Sequence, residues 1–265
     1  MNRISKKFKE LRRKKQKAFI SFVTAGDPNL KTTEELVLAF EKNSVDIVEL
    51  GVPFSDPLAD GPTIQASSQR ALDKGVNLEK ILQSACRIRQ KSSIPLALMT
   101  YYNPVFHFGE EKFIRAAKAA GVDGLIIPDL PPEEAANLIK LAKKADLATV
   151  FFVAPTTRAE RIKKIAKVST GFIYYVSLTG VTGARQGVPQ DISKHVRLTR
   201  RLSKIPVCIG FGVSTPEQVK TMSKISDGVI VGSAIVKKIL EHKGKKTLVA
   251  NVASFARRLS KGVRS

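Results

Sequence analysis

A chain of 265 residues, 43% of them hydrophobic, is long enough to fold around a sizeable core, and its formal net charge of +22 is unusual for a globular protein. It has no apolar run of the roughly 18 residues that cross a bilayer and no apolar secretory signal, so we expect a cytoplasmic protein. The two cysteines, Cys86 and Cys208, lie far apart in apolar contexts and are expected to be reduced core thiols.

The positive charge is densest near the N-terminus, where eight basic residues fall between Lys6 and Lys17. A charge of this size is a reason to consider nucleic acid as a partner. However, Phe8 is the only aromatic residue among these cations, and no nucleic-acid-binding motif is present. Other Lys and Arg residues are spread over predicted helix faces. We therefore expect a solvated basic surface that favours anionic substrates and an acidic partner face, and nucleic-acid binding is the less favoured alternative.

In chain order, apolar spacing predicts a helix over Ile4 to Arg13 and a strand over Ala18 to Thr24. A helix capped by Thr32 or Thr33 follows and ends at Lys42. Further helices are predicted at 63–73, 78–91, 110–120, 133–144, 158–167, 192–202, 216–223 and, with a break near residue 244, 233–259. Further strands are predicted at 45–50, 95–100, 124–127, 148–153, 172–177, 207–210 and 228–231. Residues 101–104 and 178–190 are predicted loops.

This order contains eight strands, each followed by helix, and the strands are short and continuously apolar, as expected when both faces of a sheet are buried. Eight such units in about 250 residues favour an α/β fold of the (β/α)8 TIM barrel type, with an extra N-terminal helix. A doubly wound open sheet is the alternative. No linker or low-complexity segment divides the chain, so residues 1–265 are predicted to form a single domain.

In a barrel of this type the functional site lies at the carboxyl ends of the strands. The residues predicted at those ends are Thr24, Glu49, Thr100, Asp129, Ala154, Ser177, Gly210 and Gly232. None is a lysine, which excludes a Schiff-base aldolase mechanism. His107, His195 and His242 fall on loops or helices without a second metal ligand at a useful spacing, so we expect no catalytic metal. Carboxylates and hydroxyls remain for the chemistry.

The stretch VDIVELGVPFSDPLADGPTIQ, from Val45 to Gln65, places Glu49 in an apolar strand and Asp60 on a proline-rich loop beside its end. Two acids in such different environments are a candidate acid/base pair. Each also has a structural alternative. Glu49 can be tied to a backbone amide or a basic neighbour, Asp60 can be an acid at a helix N-terminus, and Asp56 can form a turn with Ser55.

Two glycine-rich junctions follow the last two strands, Gly210 to Ser214 and Gly232 to Ala234. Their backbone N–H groups and a helix N-terminus predict a phosphate site at the same mouth of the barrel, to which Gly183 can add another N–H. The polar loop 178–190 lies beside this site. It is interpreted as a mobile lid that excludes water, with a solvated linker as the alternative.

Several of these segments closely resemble the tryptophan synthase alpha chain family. The segments are the central stretch, FVTAGDP at Phe22 to Pro28, the loop GVTGAR, and CIGFGVSTPEQVKTMSKISDGVIVGSA from Cys208 to Ala234. The resemblance covers essentially the whole chain. It implies a (β/α)8 barrel that cleaves indole-3-glycerol phosphate to indole and glyceraldehyde 3-phosphate. It also implies a beta-chain partner in an alpha2-beta2 complex. The partner holds pyridoxal phosphate and converts indole to tryptophan, whereas this chain has no cofactor.

The resemblance also implies roles for individual residues. Glu49 matches the glutamate that protonates the substituted indole carbon, and Asp60 matches the aspartate that holds the ring N–H. Tyr174 matches a tyrosine near the substrate, and Thr182 matches a lid threonine that orders Asp60. The implied phosphate site is Gly183, Gly212, Gly232 and Ser233. The implied indole pocket is Phe22, Ile64, Met99 and Phe211. Asp56 is implied to face the beta chain.

Three other functions remain compatible with the sequence at this point. One is a stand-alone lyase that releases free indole. Another is a catalytically silent subunit that only regulates its beta chain, against which the presence of Glu49, Asp60 and Thr182 argues. The last is a nucleic-acid-binding activity, which depends on the basic charge alone.

Overall fold

In the computed structural model, residues 1–176, 189–210 and 212–264 are described, and their strands form one parallel sheet. The strands are β1 (Ala18–Thr24), β2 (Ile47–Gly51), β3 (Leu96–Met99), β4 (Gly124–Ile126), β5 (Ala148–Val150), β6 (Phe152–Val153), β7 (Ile173–Val176), β8 (Val207–Gly210) and β9 (Gly228–Val231). Their order in the sheet is β5-β4-β3-β2-β1-β9-β8-β7-β6.

The two ends of this sheet meet in one stretch of chain. Residues 148–153, predicted as one strand, are interrupted at Phe151, so that β5 pairs with β4 while β6 pairs with β7. The Phe151 carbonyl still accepts a hydrogen bond from the Tyr174 amide at 3.0 Å. The sheet therefore nearly closes, which confirms the predicted (β/α)8 barrel and excludes the doubly wound open sheet.

Helices surround the barrel and bury their apolar faces against its outer side. They are α1 (Arg3–Arg13), α2 (Leu30–Lys42), α3 (Pro62–Leu72), α4 (Leu78–Arg89), α5 (Tyr102–Phe108), α6 (Glu110–Ala119), α7 (Ala136–Lys144), α8 (Ala159–Val168), α9 (Gln190–Leu202), α10 (Pro216–Ser223), α11 (Ser233–Glu241) and α12 (Leu248–Ser260), followed by a 3-10 turn over Lys261–Val263. Within the described ranges, no helix is long and apolar enough to cross a membrane.

Two predictions about individual residues were wrong. The cap of α2 is Asn29, whose side chain accepts the Thr32 amide at 2.8 Å, because Asn caps a helix as well as Ser or Thr does. The Thr33 hydroxyl instead accepts a hydrogen bond from the Gly26 amide. Cys86 is exposed on α4 and is not a core thiol, whereas Cys208 is buried as predicted. Apolar neighbours in sequence placed Cys86 on the wrong face of its helix.

The predicted loop 101–104 is the start of α5. Pro104 is tolerated there because the amides of the first helical turn have no partner within the helix. One of those amides, that of Tyr102, donates to both oxygens of the Asp129 carboxylate, at 2.9 and 3.1 Å. Asp129, one of the acids at the strand ends, therefore has a structural role.

Helix α1 closes the amino-terminal end of the barrel. Its residues Ile4, Phe8 and Leu11 are buried against the inward side chains of the strands, which include Ala18 and Phe172. Three aspartates that precede strands strengthen this end: Asp46, Asp123 and Asp227. Each accepts a backbone N–H at the start of a neighbouring strand and pairs with an arginine. Stability is thus built into one end of the barrel, and the opposite end is available for function.

Candidate active site

Glu49 lies on β2, where it is in register with Phe22 of β1 and Ala97 of β3. Its side chain is fully buried, and neither carboxylate oxygen has a hydrogen-bond partner among the described residues. Burial raises the pKa of Glu49 from 4.5 to about 8. The group is therefore protonated at neutral pH. The backbone amide or basic neighbour that a structural role requires is not found in the described part of the chain.

Asp60 is held quite differently, on the loop between β2 and α3. The Tyr101 hydroxyl donates a hydrogen bond to its Oδ2 at 3.0 Å. Burial raises the pKa of Asp60, and the hydrogen bond from Tyr101 acts in the opposite direction. The side chain does not cap α3, whose N-cap residue is Gly61. Two acids with unlike surroundings therefore lie at the carboxyl end of the barrel, as an acid/base pair requires.

Tyr101 is a residue that the sequence pattern does not single out. It is buried, stacks on Phe54 with ring centroids 5.2 Å apart, and its hydroxyl also accepts the Ala59 amide at 3.0 Å. Burial and the nearby Asp60 charge raise the pKa of Tyr101, so the hydroxyl keeps its proton. The sequence feature that could have identified Tyr101 as a site residue is its position just after the end of β3. Tyr101 connects the Asp60 loop to the next strand of the barrel.

Tyr174 lies on β7, with its ring 4.8 Å from that of Phe152. Burial raises its pKa well above 10, and the charges of Glu49 and Asp60 add to the effect, so the phenol is neutral. Gly210 on the adjacent strand makes room for it. A Cβ atom at Gly210 would lie 2.4 Å from the Tyr174 hydroxyl oxygen.

Three of the predicted indole-pocket residues, Phe22, Ile64 and Met99, form one apolar cluster together with Val236 of α11. Val236 was not predicted as a pocket residue, because its spacing in α11 is that of an ordinary residue facing the core. The Phe22 ring packs against the backbone of Gly51, where an added Cβ would lie 2.4 Å from it. Phe211, the fourth predicted pocket residue, lies outside the described residues.

The predicted phosphate residues follow two adjacent strands. Gly212 comes two positions after β8 and has a φ of +57°, a conformation that glycine adopts without strain. Gly232 follows β9 directly and is the N-cap residue of α11, which begins at Ser233. The free amides of this helix start suit an anion. Two predicted residues, Thr182 and Gly183, lie outside the described residues. So does most of the predicted lid at 178–190, because residues 177–188 are not described.

Two other polar groups at this end have local partners. Asp56 is exposed and accepts a hydrogen bond from the Ser55 hydroxyl at 2.5 Å, the turn contact considered above. Thr24 is hydrogen-bonded to Ser67, also at 2.5 Å. No cluster of three or more potential metal ligands occurs in the portion of the chain that the structure describes. The acids at the barrel mouth are thus the groups best placed for proton transfer.

Comparison with known proteins gives one family. The family model "Tryptophan synthase alpha chain" matches residues 8–264. The tryptophan synthase alpha chain of Geotalea daltonii is 50% identical over 246 residues, which cover 93% of either chain. Tryptophan synthase subunit alpha from Legionella pneumophila superposes with a TM-score of 0.93 at 34% identity, covering 100% of this chain and 99% of that one. A chain of tryptophan synthase from M. tuberculosis has a TM-score of 0.89 at 32% identity, with 100% and 99% covered.

Proposed function

The chain belongs to the tryptophan synthase alpha chain family, and on that premise we propose that Glu49 and Asp60 carry the proton transfers of its reaction. The protein is the lyase subunit that cleaves indole-3-glycerol phosphate. In the proposed retro-aldol reaction, protonation of the substituted indole carbon and loss of the proton from the neighbouring side-chain hydroxyl break the carbon–carbon bond. The products are indole and glyceraldehyde 3-phosphate.

Glu49 supplies the first proton. The indole carbon is a weak base, so the donor must still be protonated near neutral pH, and a carboxyl with a pKa of about 8 meets that requirement. Once ionised, Glu49 accepts the proton of the side-chain hydroxyl, and its starting state is restored. Asp60 accepts a hydrogen bond from the ring N–H and stabilises the positive charge that protonation creates.

The observation that carries this assignment is the Glu49 carboxyl, whose two oxygens have no hydrogen-bond partner among the described residues. A buried polar group normally has a hydrogen-bond partner, and an orphaned carboxyl with a raised pKa at the same barrel mouth as a second acid indicates a functional use. Substrate bound in the mouth would supply that partner. The cluster of Phe22, Ile64 and Met99 offers an apolar surface for the indole ring, a use that the geometry supports for Val236 as well.

The phosphate of the substrate is proposed to bind at the glycines after β8 and β9. Gly212, Gly232 and Ser233 offer backbone N–H groups there, and Gly183 is proposed to add another from loop 6, residues 178–190. Tyr174 lines the site beside the acids. We retain the proposal that Thr182 orders Asp60 when loop 6 closes, which would exclude water from the reaction.

Tyr101 is expected to position Asp60, so Tyr101→Phe should lower kcat/KM for indole-3-glycerol phosphate about tenfold, the value of one hydrogen bond to a charged group. In the native protein, the hydrogen bond from the Tyr101 hydroxyl lowers the pKa of Asp60. Its removal should therefore shift the acidic limb of the kcat/KM profile to higher pH.

The matched control is Tyr102→Phe, which removes a neighbouring hydroxyl that donates to Glu110 at 3.2 Å. This variant should keep both the rate and the pH profile. A rate loss in Tyr101→Phe without any movement of the acidic limb would show that Tyr101 only supports the fold.

Membership of this family implies a beta-chain partner. We propose that the two form an alpha2-beta2 complex in the cytoplasm, and that pyridoxal phosphate is bound by the beta chain while this chain needs no cofactor. Loop 53–61, which carries Asp60, is the proposed contact. Its Leu58 is 92% exposed, Asp56 is exposed beside it, and Phe106 of α5 is 68% exposed, so apolar and charged groups are available for a partner.

The test of the proposed function is an indole-release assay with and without the cognate beta chain. We expect cleavage by the alpha chain alone and a rise in rate when the beta chain is added. Full turnover without any response to the beta chain would favour the stand-alone lyase. No cleavage under either condition would favour the silent regulator.

In the same assay, Leu58→Asp should leave cleavage by the isolated chain unchanged and raise the beta-chain concentration needed for activation at least about tenfold. Leu240→Asp, which changes a leucine that is 47% exposed on α11, is the matched control and should respond like the native protein. Equal responses of the two variants would move the docking surface away from loop 53–61.

A further inference from the structure

The N-terminal segment carries cations that the fold does not use. The side chains of Lys6, Lys9, Arg12, Arg13 and Lys15 are exposed and make no hydrogen bond or ion pair with the described residues. Other cations of the same segment are engaged. For example, both Lys7 and Lys14 pair with Glu10, at 3.1 and 2.6 Å. The five free cations therefore remain available to a ligand.

These cations line two clefts, one on each side of α1. The larger has a volume of about 820 Å³ and is lined by Lys6, Lys9 and Arg13. The smaller has a volume of about 310 Å³ and is lined by Arg12 and Lys15.

Most carboxylates in the two clefts are already neutralised. Asp46 is paired with Arg264, Asp227 with Arg200, and Glu10 with its two lysines. Glu41 is the exception: it accepts a 3.4 Å hydrogen bond from Ser93, forms no ion pair within the described part of the chain, and would oppose an anion locally.

The barrel topology adds more positive charge to this end. Every described helix that leads directly into a strand ends at the amino-terminal face, and each carries at least one Lys or Arg in its last turn, Lys42 of α2 and Lys167 of α8 among them. A cation at a helix C-terminus is ordinary, because it opposes the helix dipole. Together with α1, however, these residues make one whole face of the barrel basic, opposite the active site.

The chemistry of this face restricts the partner. Ile4, Phe8 and Leu11 of α1 are buried in the barrel, and Met1 is the large apolar side chain that the segment exposes. A protein partner needs apolar or aromatic anchors, and a membrane-bound helix needs an exposed apolar side. Single-stranded nucleic acid needs exposed aromatic rings for stacking. A duplex bound through its phosphates needs only cations.

We propose that the amino-terminal face of the barrel binds the phosphate backbone of a nucleic-acid duplex, without reading its bases, through the free cations of residues 6–15. This interaction is independent of the proposed reaction at the opposite end of the barrel. It favours the nucleic-acid-binding alternative that the sequence left open. The reason is that the fold places the five free cations of α1 and the segment after it on the same face as the basic helix ends.

The test is a titration of a labelled 30-base-pair DNA duplex by fluorescence anisotropy over a range of salt concentrations. The triple variant Lys6→Gln, Lys9→Gln, Arg13→Gln should bind at least about tenfold more weakly at 0.1 M salt. The slope of log affinity against log salt should become shallower by about 2.7, or 0.9 for each lost phosphate contact. Cleavage of indole-3-glycerol phosphate should not change.

The matched control removes three exposed lysines elsewhere: Lys31→Gln, Lys163→Gln, Lys237→Gln. It carries the same net charge as the test variant and should bind the duplex nearly as the native protein does. Equal losses in the two triple variants would overturn the proposal, since the net charge alone would then explain binding. So would an absence of duplex binding at 0.1 M salt, or binding to anionic lipid vesicles in its place.

Discussion

Glu49→Gln should abolish cleavage of indole-3-glycerol phosphate, with a loss of about 10³-fold or more, and should also stabilise the folded protein at neutral pH. The rate falls because an amide cannot donate and regain the proton that Glu49 transfers. Indole release and circular dichroism of the same sample measure the two effects. A variant that retained near-native turnover would remove Glu49 from the mechanism.

The gain in stability depends on pH in a defined direction. The pKa of Glu49 is about 8 in the folded protein and 4.5 in its ordinary state, so between these values the unfolded chain has lost a proton that the folded chain retains. The native protein therefore loses stability as pH rises through this window, by about 1.4 kcal/mol per pH unit. The Glu49→Gln variant lacks this contribution to the pH dependence of the unfolding free energy, because glutamine does not ionise.

Denaturant unfolding of the native protein and of Glu49→Gln at pH 5 and pH 7 measures this term. The difference in unfolding free energy between the two proteins should grow by roughly 3 kcal/mol over these two pH units and level off above about pH 8. Parallel pH dependences would mean that Glu49 is not protonated in the folded protein, and its role as a proton donor would then fail.

Asp60→Asn should abolish indole release while leaving the fold intact, with a rate loss of at least about 10²-fold. The asparagine oxygen can still accept the Tyr101 hydroxyl, so the loop keeps its main contact. What is lost is the negative charge that stabilises the protonated indole ring. Cleavage by the isolated chain and its unfolding midpoint are the measurements.

Asp56→Asn is the control for this prediction, because Asp56 lies on the same loop but is exposed and bonded to Ser55. It should cleave the substrate at the native rate in the absence of the beta chain. Normal turnover by Asp60→Asn would contradict the proposed mechanism, and an equal loss in both variants would point to the conformation of the loop.

The elements of the barrel were predictable because their signals are local. The continuous apolar runs of β1, β8 and β9 and the start and end of α10 agree with the structure to the residue. The Thr215 cap of α10 forms the full capping box with Gln218. Eight repeats of strand and helix then allow few arrangements other than a closed parallel sheet. The two acids were found because an acid in a buried strand, beside a proline-rich loop, conflicts with the surrounding pattern.

Other properties depend on contacts between residues far apart in the chain. The hydrogen bond from Tyr101 to Asp60 spans 41 positions, and no spacing rule reaches that far. That Glu49 finds no hydrogen-bond partner in the described ranges follows from what surrounds it in three dimensions, and so does its raised pKa. The basic face was visible in the sequence as charge alone. Its location on the molecule depends on the tertiary structure, because the barrel fold places α1 across the amino-terminal end and the basic helix ends around it.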